Sequence, residues 1–481
     1  MKQQAVNPVL PSYEYLPDVE PHVFGDRVYL FGSHDQFNGR EFCPLDYVCW
    51  SAPVDDLSDW RKEGTTLTKD EAPDNFSGRY NLWAPDVCCG PDGRYYMYYF
   101  TSFNNKLWVA SCDTPAGHYR LHGYVQYPDG TALGERKGDI FQFDPAVFVE
   151  DGKVYLYSGF GPSRGQFWMS LGKRIGKQGP IVVQLAPDMK TVITDPKPIG
   201  VPTVYTAKGT PYAGHEFFEA ASMRKLNGRY YFIYSSFLGH ELCYAISDKP
   251  DGGFAYGGTI VSLGNVGLFG IKGIKDAENA LGNTHGSIEC INGRHYVFYH
   301  RQTNGHCHSR QCCAEEVTIA PDGSIAQVEV TSCGLNGRPL SDQGTYEAGI
   351  ACVVKSPKGG SFNLMFHDRS RPYITQTGED RESNPEQLVA NITNGTVIGY
   401  KYFDFQTATR LVVTFSGKAK GELAVSHTET GEPIGTAKRS LDSRNKIIPV
   451  EIPIRPASGK APLYLRFTGS GRLNFYTLTL Q

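Results

Sequence analysis

Apolar and polar residues alternate along most of the chain with the two-residue period of half-buried strands, interrupted by turns rich in Gly, Asn and Asp. Residues 214–236 show the unit most clearly. A first strand carries Glu219, Asn227-Gly228 supplies a two-residue hairpin turn, and Arg229 to Ser235 return as an aromatic and β-branched strand. The unit occurs five times. Its second strands begin at Arg27, Arg94, Lys153, Arg229 and Arg294, 59–76 residues apart. The turns before them are Gly25-Asp26, Asp92-Gly93, Asp151-Gly152, Asn227-Gly228 and Asn292-Gly293. A third strand is predicted at 48–51, 107–111, 167–170 and 242–247, and residues 307–319 fill that slot less clearly in the last copy. The repeat length leaves room for a fourth. Four-stranded antiparallel units repeated about an axis predict a five-bladed β-propeller.

Past the Gly-rich stretch 334–344 the pattern changes. Short strands are predicted at 350–354, 396–405, 410–415, 423–425, 447–454, 463–467 and 473–480, at the spacing of a β-sandwich. The chain therefore reads as all-β, with a propeller over residues 1–335 and a sandwich over 336–481. No helix of useful length is expected.

Composition narrows the function. Aromatics make up 12% of the 481 residues and the formal net charge is −3, without a basic stripe, so nucleic acid is not an expected partner. No apolar run approaches the ~20 residues of a membrane span. Met1 to Asp18 lack the basic and apolar segments of a secretory signal, so a cytoplasmic protein is expected. The twelve cysteines show neither zinc spacing nor a disulfide framework, and buried free thiols are expected.

About eight to ten residues before each basic residue, one polar group interrupts an apolar strand: Asp18, Asp86, Asp144, Glu219 and His285. The first strand of a propeller blade lines the central channel, so equivalent positions on five such strands converge. Four carboxyls and an imidazole at one focus repel one another and resist desolvation, a cost tolerated where a site does chemistry or binds a cation.

These residues resemble glycoside hydrolase family 43. The likeness rests on Leu16-Pro17-Asp18 with Glu20-Pro21-His22-Val23-Phe24, Trp83-Ala84-Pro85-Asp86, Phe143-Asp144-Pro145-Ala146, Phe218-Glu219-Ala220 and His285-Gly286, in register with the repeat. It implies an inverting hydrolase of glycosides, with Asp18 as general base, Glu219 as general acid and Asp144 raising the proton affinity of Glu219. Glu20 and Glu216 are the neighbouring rivals. It further implies Trp83, Asp86 and Arg310 at the sugar site, with Phe31 and His34 as lesser candidates, and His285 beside a central calcium ion or water cluster. Inversion itself requires one carboxylate to activate water and one carboxylic acid to protonate the leaving oxygen, roughly 6.5–9.5 Å apart. Ala220-Ala221 stands where many members have Gly-Pro, and the Arg expected of the fructan-cleaving propellers before Asp144 is absent. The expected substrate is an oligosaccharide or small glycoside losing terminal pentose, α-L-arabinofuranosyl first, β-D-xylosyl or a galactoside or galactofuranoside as alternatives. The rival of another class is a non-catalytic glycan-binding propeller. The C-terminal part resembles carbohydrate-binding module family 6 more loosely, through Ile398-Gly399-Tyr400-Lys401-Tyr402-Phe403.

Overall fold

The computed structural model describes residues 4–170, 172–361, 368–380, 386–443 and 446–481. Five antiparallel sheets follow one another, each strand pairing with the next in sequence. Blade one holds Glu20–Phe24, Arg27–Phe31, Tyr47–Pro53 and Arg61–Leu67, and blade two Leu82–Cys89, Tyr95–Thr101, Leu107–Cys112 and Arg120–Tyr124. Blade three holds Ala146–Glu150, Lys153–Ser158, Ile181–Leu185 and Lys197–Pro198, and blade four Phe217–Leu226, Arg229–Ser236, Glu241–Ser247 and Ala255–Ser262. Blade five has three strands, Ile288–Ile291, Arg294–Thr303 and His306–Val317. At three of the inner hairpins both turn residues are left-handed, as in Asn227-Gly228 at φ 50° and 81°. This is the turn whose twist matches that of the strands.

The inner strand of each blade touches those of both neighbours, which closes the ring. Between successive blades lie separate apolar cores, such as Tyr157, Met223, Phe232 and Tyr234 between blades three and four. Truncating a buried ring such as Phe232 to Ala costs about 3–5 kcal/mol. The N-terminal segment lies along the open edge of blade five. Val9 N–H donates to Cys312 O at 2.9 Å, and the Asn7 amide both accepts from Ala314 N–H at 2.9 Å and donates to Ala314 O at 3.1 Å.

One predicted strand is corrected. Residues 167–170 fall in a 3₁₀ segment, Arg164–Ser170, and the third strand of blade three is Ile181–Leu185. A four-residue apolar run has no period of its own, whereas Ile181-Val182-Val183 is β-branched throughout. In blade five the third strand is His306–Val317, within two residues of the expected 307–319.

The C-terminal part is one ten-stranded sheet curled around its own core, including Phe403, Leu411, Phe415, Leu465, Phe475 and Leu478. Predicted pairs of short strands fuse into two long ones, Arg410–Ser426 and Gly459–Leu480, which pair with each other. Glycines take the bends, with Gly417 at φ 120° and Gly471 at φ 91°. Tyr373–Gln376, Gln387–Ile392 and Gly435–Asp442 are strands not foreseen, and Ala348–Ile350 is a 3₁₀ turn.

Cys43, Cys49, Cys88, Cys312 and Cys313 are buried free thiols. Among the described residues, no helix is long and apolar enough to cross a membrane.

Candidate active site

Asp18 and Asp144 stand just before the inner strands of blades one and three, at φ 55° and 45°. Aspartate tolerates left-handed backbone better than most residues. Glu219 sits inside a β-bulge of blade four, where pairing jumps from Glu219–Ser235 to Ser222–Ile233 and Ala220 takes φ 66°. The Ala220 N–H donates to Asp144 Oδ2 at 3.0 Å, tying the bulge to the neighbouring blade.

The three carboxyls share one field and divide sharply in proton affinity. Burial works against the Asp18 carboxylate, but Arg310, His300, His285 and Ser33 together outweigh it and hold the group at about 2, Arg310 contributing most among them. Glu219 is raised to about 8 by burial, then by the charges of Asp144 and Asp18. Asp144 is raised to about 7, again by burial, with Asp18 adding to it and His285 opposing. One carboxylate that stays ionised faces one carboxylic acid that stays protonated, the division that acid–base chemistry at neutral pH requires.

Arg310 makes that division. It is 1% exposed. Its Nη1 donates to Asp18 Oδ1 at 2.9 Å, its Nε and Nη2 grip Asp35 at 2.8 and 3.0 Å, and Phe42 covers the guanidinium at 4.9 Å. Arg310, expected at the sugar site, holds the carboxylate of Asp18. His300 stands behind the same residue. Its Nδ1 accepts the Asp18 N–H at 3.2 Å and its Nε2 faces Asn283 O at 2.9 Å, which fixes a neutral imidazole with the proton on Nε2. Burial and the Arg310 charge lower it to about 3, in agreement. The 3.4 Å approach of Nδ1 to Asp18 Oδ1 is therefore not an ion pair.

Asp86 lies one layer deeper than counting along the chain suggests. In hairpin register it pairs with Tyr98, as Glu20 pairs with Phe31 and Ser222 with Ile233, each opposite the fourth residue beyond the basic residue. Trp83 is paired with Phe100, two residues further out. A bulge between Trp83 and Asp86 causes the offset. Asp86 is fully buried, and its carboxylate accepts from Val87 and Val147 N–H at 2.8 Å each and meets His22 Nε2 at 2.8 Å. It stitches three blades together and does not face the sugar site.

The same layer holds Glu20, whose Oε2 accepts from Arg224 at 2.7 Å and Ser222 at 2.9 Å. Paired in this way, Glu20 is no rival to Asp18. Glu216 turns back to accept the Gly214 N–H at 2.9 Å. His34 is locked between Asp46 O and Glu14 Oε1, both at 2.8 Å, and Phe31 is a core side chain at 1% exposure. Neither reaches the site. Trp83 is half-buried and packs edge-on against Phe143, beside Asp144. Asp35, His300 and Arg224 were not foreseen. An arginine within the apolar strand of blade four was the one legible signal among them.

His285 lies between the layers, 3.9 Å from Asp144 and 3.6 Å from Glu20 Oε1. Burial disfavours its charge, but Glu20 and Asp144 raise it to about 9. Glu20 Oε1 and His285 Nε2 are both buried without a hydrogen-bond partner. These two orphaned atoms fit a shared water or a hydrated cation.

The C-terminal sheet straps the loops around this centre. Asn304 N–H donates to Ile374 O at 2.6 Å and Asp368 N–H to Gly305 O at 2.7 Å, on the hairpin turn that leads to Arg310. Asp380 accepts the Phe37 N–H at 2.8 Å, and Tyr15 donates to Gln376 at 2.5 Å, beside the segment that carries Asp35.

A five-bladed propeller with an ionised and a protonated carboxyl at its focus defines a hydrolase of O-glycosidic bonds. The sequence profile of the Glycosyl hydrolases family 43 matches residues 5–325, and the chain belongs to that family, whose members invert the anomeric centre. It is 46% identical to a xylosidase/arabinosidase of Thermoclostridium stercorarium, over 100% of this chain and 99% of that protein. An arabinoxylan arabinofuranohydrolase of Paenibacillus polymyxa is 28% identical over 97% of this chain and 73% of its own length. Among solved structures, a β-xylosidase/α-arabinofuranosidase from a compost metagenome, in complex with xylotriose, superposes with a TM-score of 0.52 at 27% identity, covering 68% of this chain and 99% of that one. An arabinoxylan arabinofuranohydrolase of Bacillus subtilis shares the fold across 99% of this chain and 97% of its own, with a TM-score of 0.51 at 21% identity.

Proposed function

We propose that this hydrolase removes terminal α-L-arabinofuranosyl and β-D-xylosyl residues from plant-type oligosaccharides, with the arabinofuranoside as first substrate. The opposed proton affinities of Asp18 and Glu219 carry the reading. Asp18, ionised across the working range, takes a proton from a water that attacks the anomeric carbon. Glu219, protonated near neutrality, delivers its proton to the departing glycosidic oxygen on the other side. Asp144 holds the bulge at Ala220 and adds negative charge that keeps Glu219 protonated. Trp83 presents an aromatic wall to the sugar. The names of the relatives in the family support a pentose at the site.

A calcium ion in the channel would be held by Glu20 and water, the oxygen shell such an ion prefers, with His285 joining only after giving up the proton that the surrounding carboxylates otherwise keep on it. It would supply a fixed positive charge beside the carboxyls. The free thiols of Cys43, Cys49, Cys88, Cys312 and Cys313 support a reducing, cytoplasmic setting.

The deciding experiment is hydrolysis of nitrophenyl α-L-arabinofuranoside and β-D-xyloside, with the released anomer followed by NMR. Turnover with inversion, abolished in Asp18→Ala, supports the proposal. Silence on every pentoside overturns it and favours a binding propeller, and equal activity in Asp18→Ala overturns Asp18 as the base.

A further inference from the structure

Phe103 has a backbone that aromatic residues rarely adopt. It stands in the turn after Thr101 at φ 61°, with its side chain 74% exposed. Left-handed backbone is normally left to glycine or asparagine. Asn104 and Asn105 follow immediately, yet the strained position carries the phenyl ring. Folding gains nothing from such a placement, because the ring is neither relaxed nor buried. Strain held at an exposed position points to function.

The ring is part of a built surface. Tyr80 lies 6.2 Å from Phe103, and Phe76, on the same loop as Tyr80, is 81% exposed. That loop is rigid. The buried amide of Asn75 donates to Lys69 O and Tyr80 O at 2.6 and 2.9 Å and accepts the Tyr80 N–H at 2.8 Å. Asn104 bonds Asp74, and so joins the loop to the turn that carries Phe103. Three aromatic side chains are thereby presented to solvent from interlocked segments.

The surface adjoins the active site. Tyr80 is three residues before Trp83, and Phe103 is three beyond Phe100, the strand partner of Trp83. Asn81 donates to Phe42 O at 3.0 Å, and Phe42 covers the guanidinium of Arg310. An unbranched run of sugars leaving the site on this side would meet Trp83 and then the Tyr80–Phe103 surface. Flat aromatic faces match the C–H faces of neutral pyranoses, and an exposed apolar patch beside a cleft marks ligand contact.

We propose that Phe103, Tyr80 and Phe76 form a platform for the distal sugars of a neutral β-linked pentosan chain whose terminal residue occupies the active site. This rests on the proposed glycosidase function and adds a preference for longer chains. Phe103→Asn relieves the backbone and removes the ring, so it gives a variant that folds at least as well as the wild type. Activity is measured on xylobiose and xylohexaose, and xylohexaose binding by calorimetry in an Asp18→Ala background, where nothing is turned over. In the wild type, kcat/KM rises with chain length. In Phe103→Asn it falls about tenfold on xylohexaose, stays within twofold on xylobiose, and the melting temperature rises. Xylohexaose affinity falls by a similar factor. An unchanged chain-length profile with unchanged affinity, or an equal loss on both substrates, overturns the platform. Should the wild type hydrolyse no pentoside, loss of xylohexaose affinity in Phe103→Asn still supports the platform while the hydrolase reading fails, and unchanged affinity rejects both.

Discussion

Arg310 holds Asp18 by a single 2.9 Å hydrogen bond while it grips Asp35 with two others. The guanidinium is thus anchored on one aspartate and directed at the second. Lysine offers one point charge and cannot make both contacts. Arg310→Lys is therefore expected to lower kcat/KM by about a hundredfold and to cost on the order of 3 kcal/mol in stability, as breaking a buried ion pair does. The acid limb of the pH–rate profile should move to higher pH, because a lysine paired with Asp35 holds its charge further from Asp18. A limb that stays in place would mean that Arg310 acts on fold alone.

The alkaline limb belongs to the other carboxyl. Glu219 is raised to about 8, so activity should fall as pH rises through that region and the acid loses its proton. Glu219→Gln removes the proton donor. Its kcat on arabinoxylan oligosaccharides is expected to drop by about 10²–10⁴, and much less on nitrophenyl glycosides, whose leaving group needs little protonation. Steady-state kinetics on the two substrate types gives the comparison.

Asp144 should reveal a conflict between stability and activity. A carboxyl whose folded proton affinity is raised imposes no cost below its unfolded value, and a growing cost as pH climbs towards the folded value, here about 7. Asp144→Asn should raise the melting temperature by about 2–4 °C at pH 8 and by less at pH 5. It should also draw the alkaline limb of activity downwards, since Glu219 loses a neighbouring negative charge. Calorimetry across pH tests the first expectation and rate profiles the second.

If calcium occupies the place between His285 and Glu20, chelation should lower the melting temperature, and added calcium should restore it. In His285→Ala that response should vanish. Identical unfolding curves for wild type with chelator and with calcium would leave water at that position.

The strap from the C-terminal sheet gives a fifth test. Asp380→Ala frees the Phe37 N–H, at a cost of about 1 kcal/mol for the lost hydrogen bond. Slackening the segment beside Asp35 should lower kcat several-fold with little change in KM on nitrophenyl pentosides. A change in stability alone would show that the strap supports only the fold.

The ring of blades was legible because each inner hairpin carries its own turn chemistry and its own basic residue, all of it local. Asp18, Asp144 and Glu219 were legible because carboxyls interrupt apolar strands. Asp86 misled because one bulge shifts it by a layer, and a bulge leaves no mark in a count of residues. Asp35 and His300 were invisible for another reason. Each matters through a partner far away in sequence, Arg310 and Asp18 respectively. The strand 181–185 was hidden behind an apolar run that coils into a 3₁₀ segment instead. In the C-terminal sheet, glycine bends within strands looked like turns between them.

Asn7 and Val9 fasten the ring by bonding to the last strand of blade five, and Asp18 waits for Arg310 on that same strand. The first and last parts of the propeller to leave the ribosome must therefore find each other before the site exists. A nascent chain that has delivered four blades holds buried acids without their counter-charge. Hydrolysis requires that synthesis has passed the fifth, since the site is completed by a contact between the two ends of the propeller sequence.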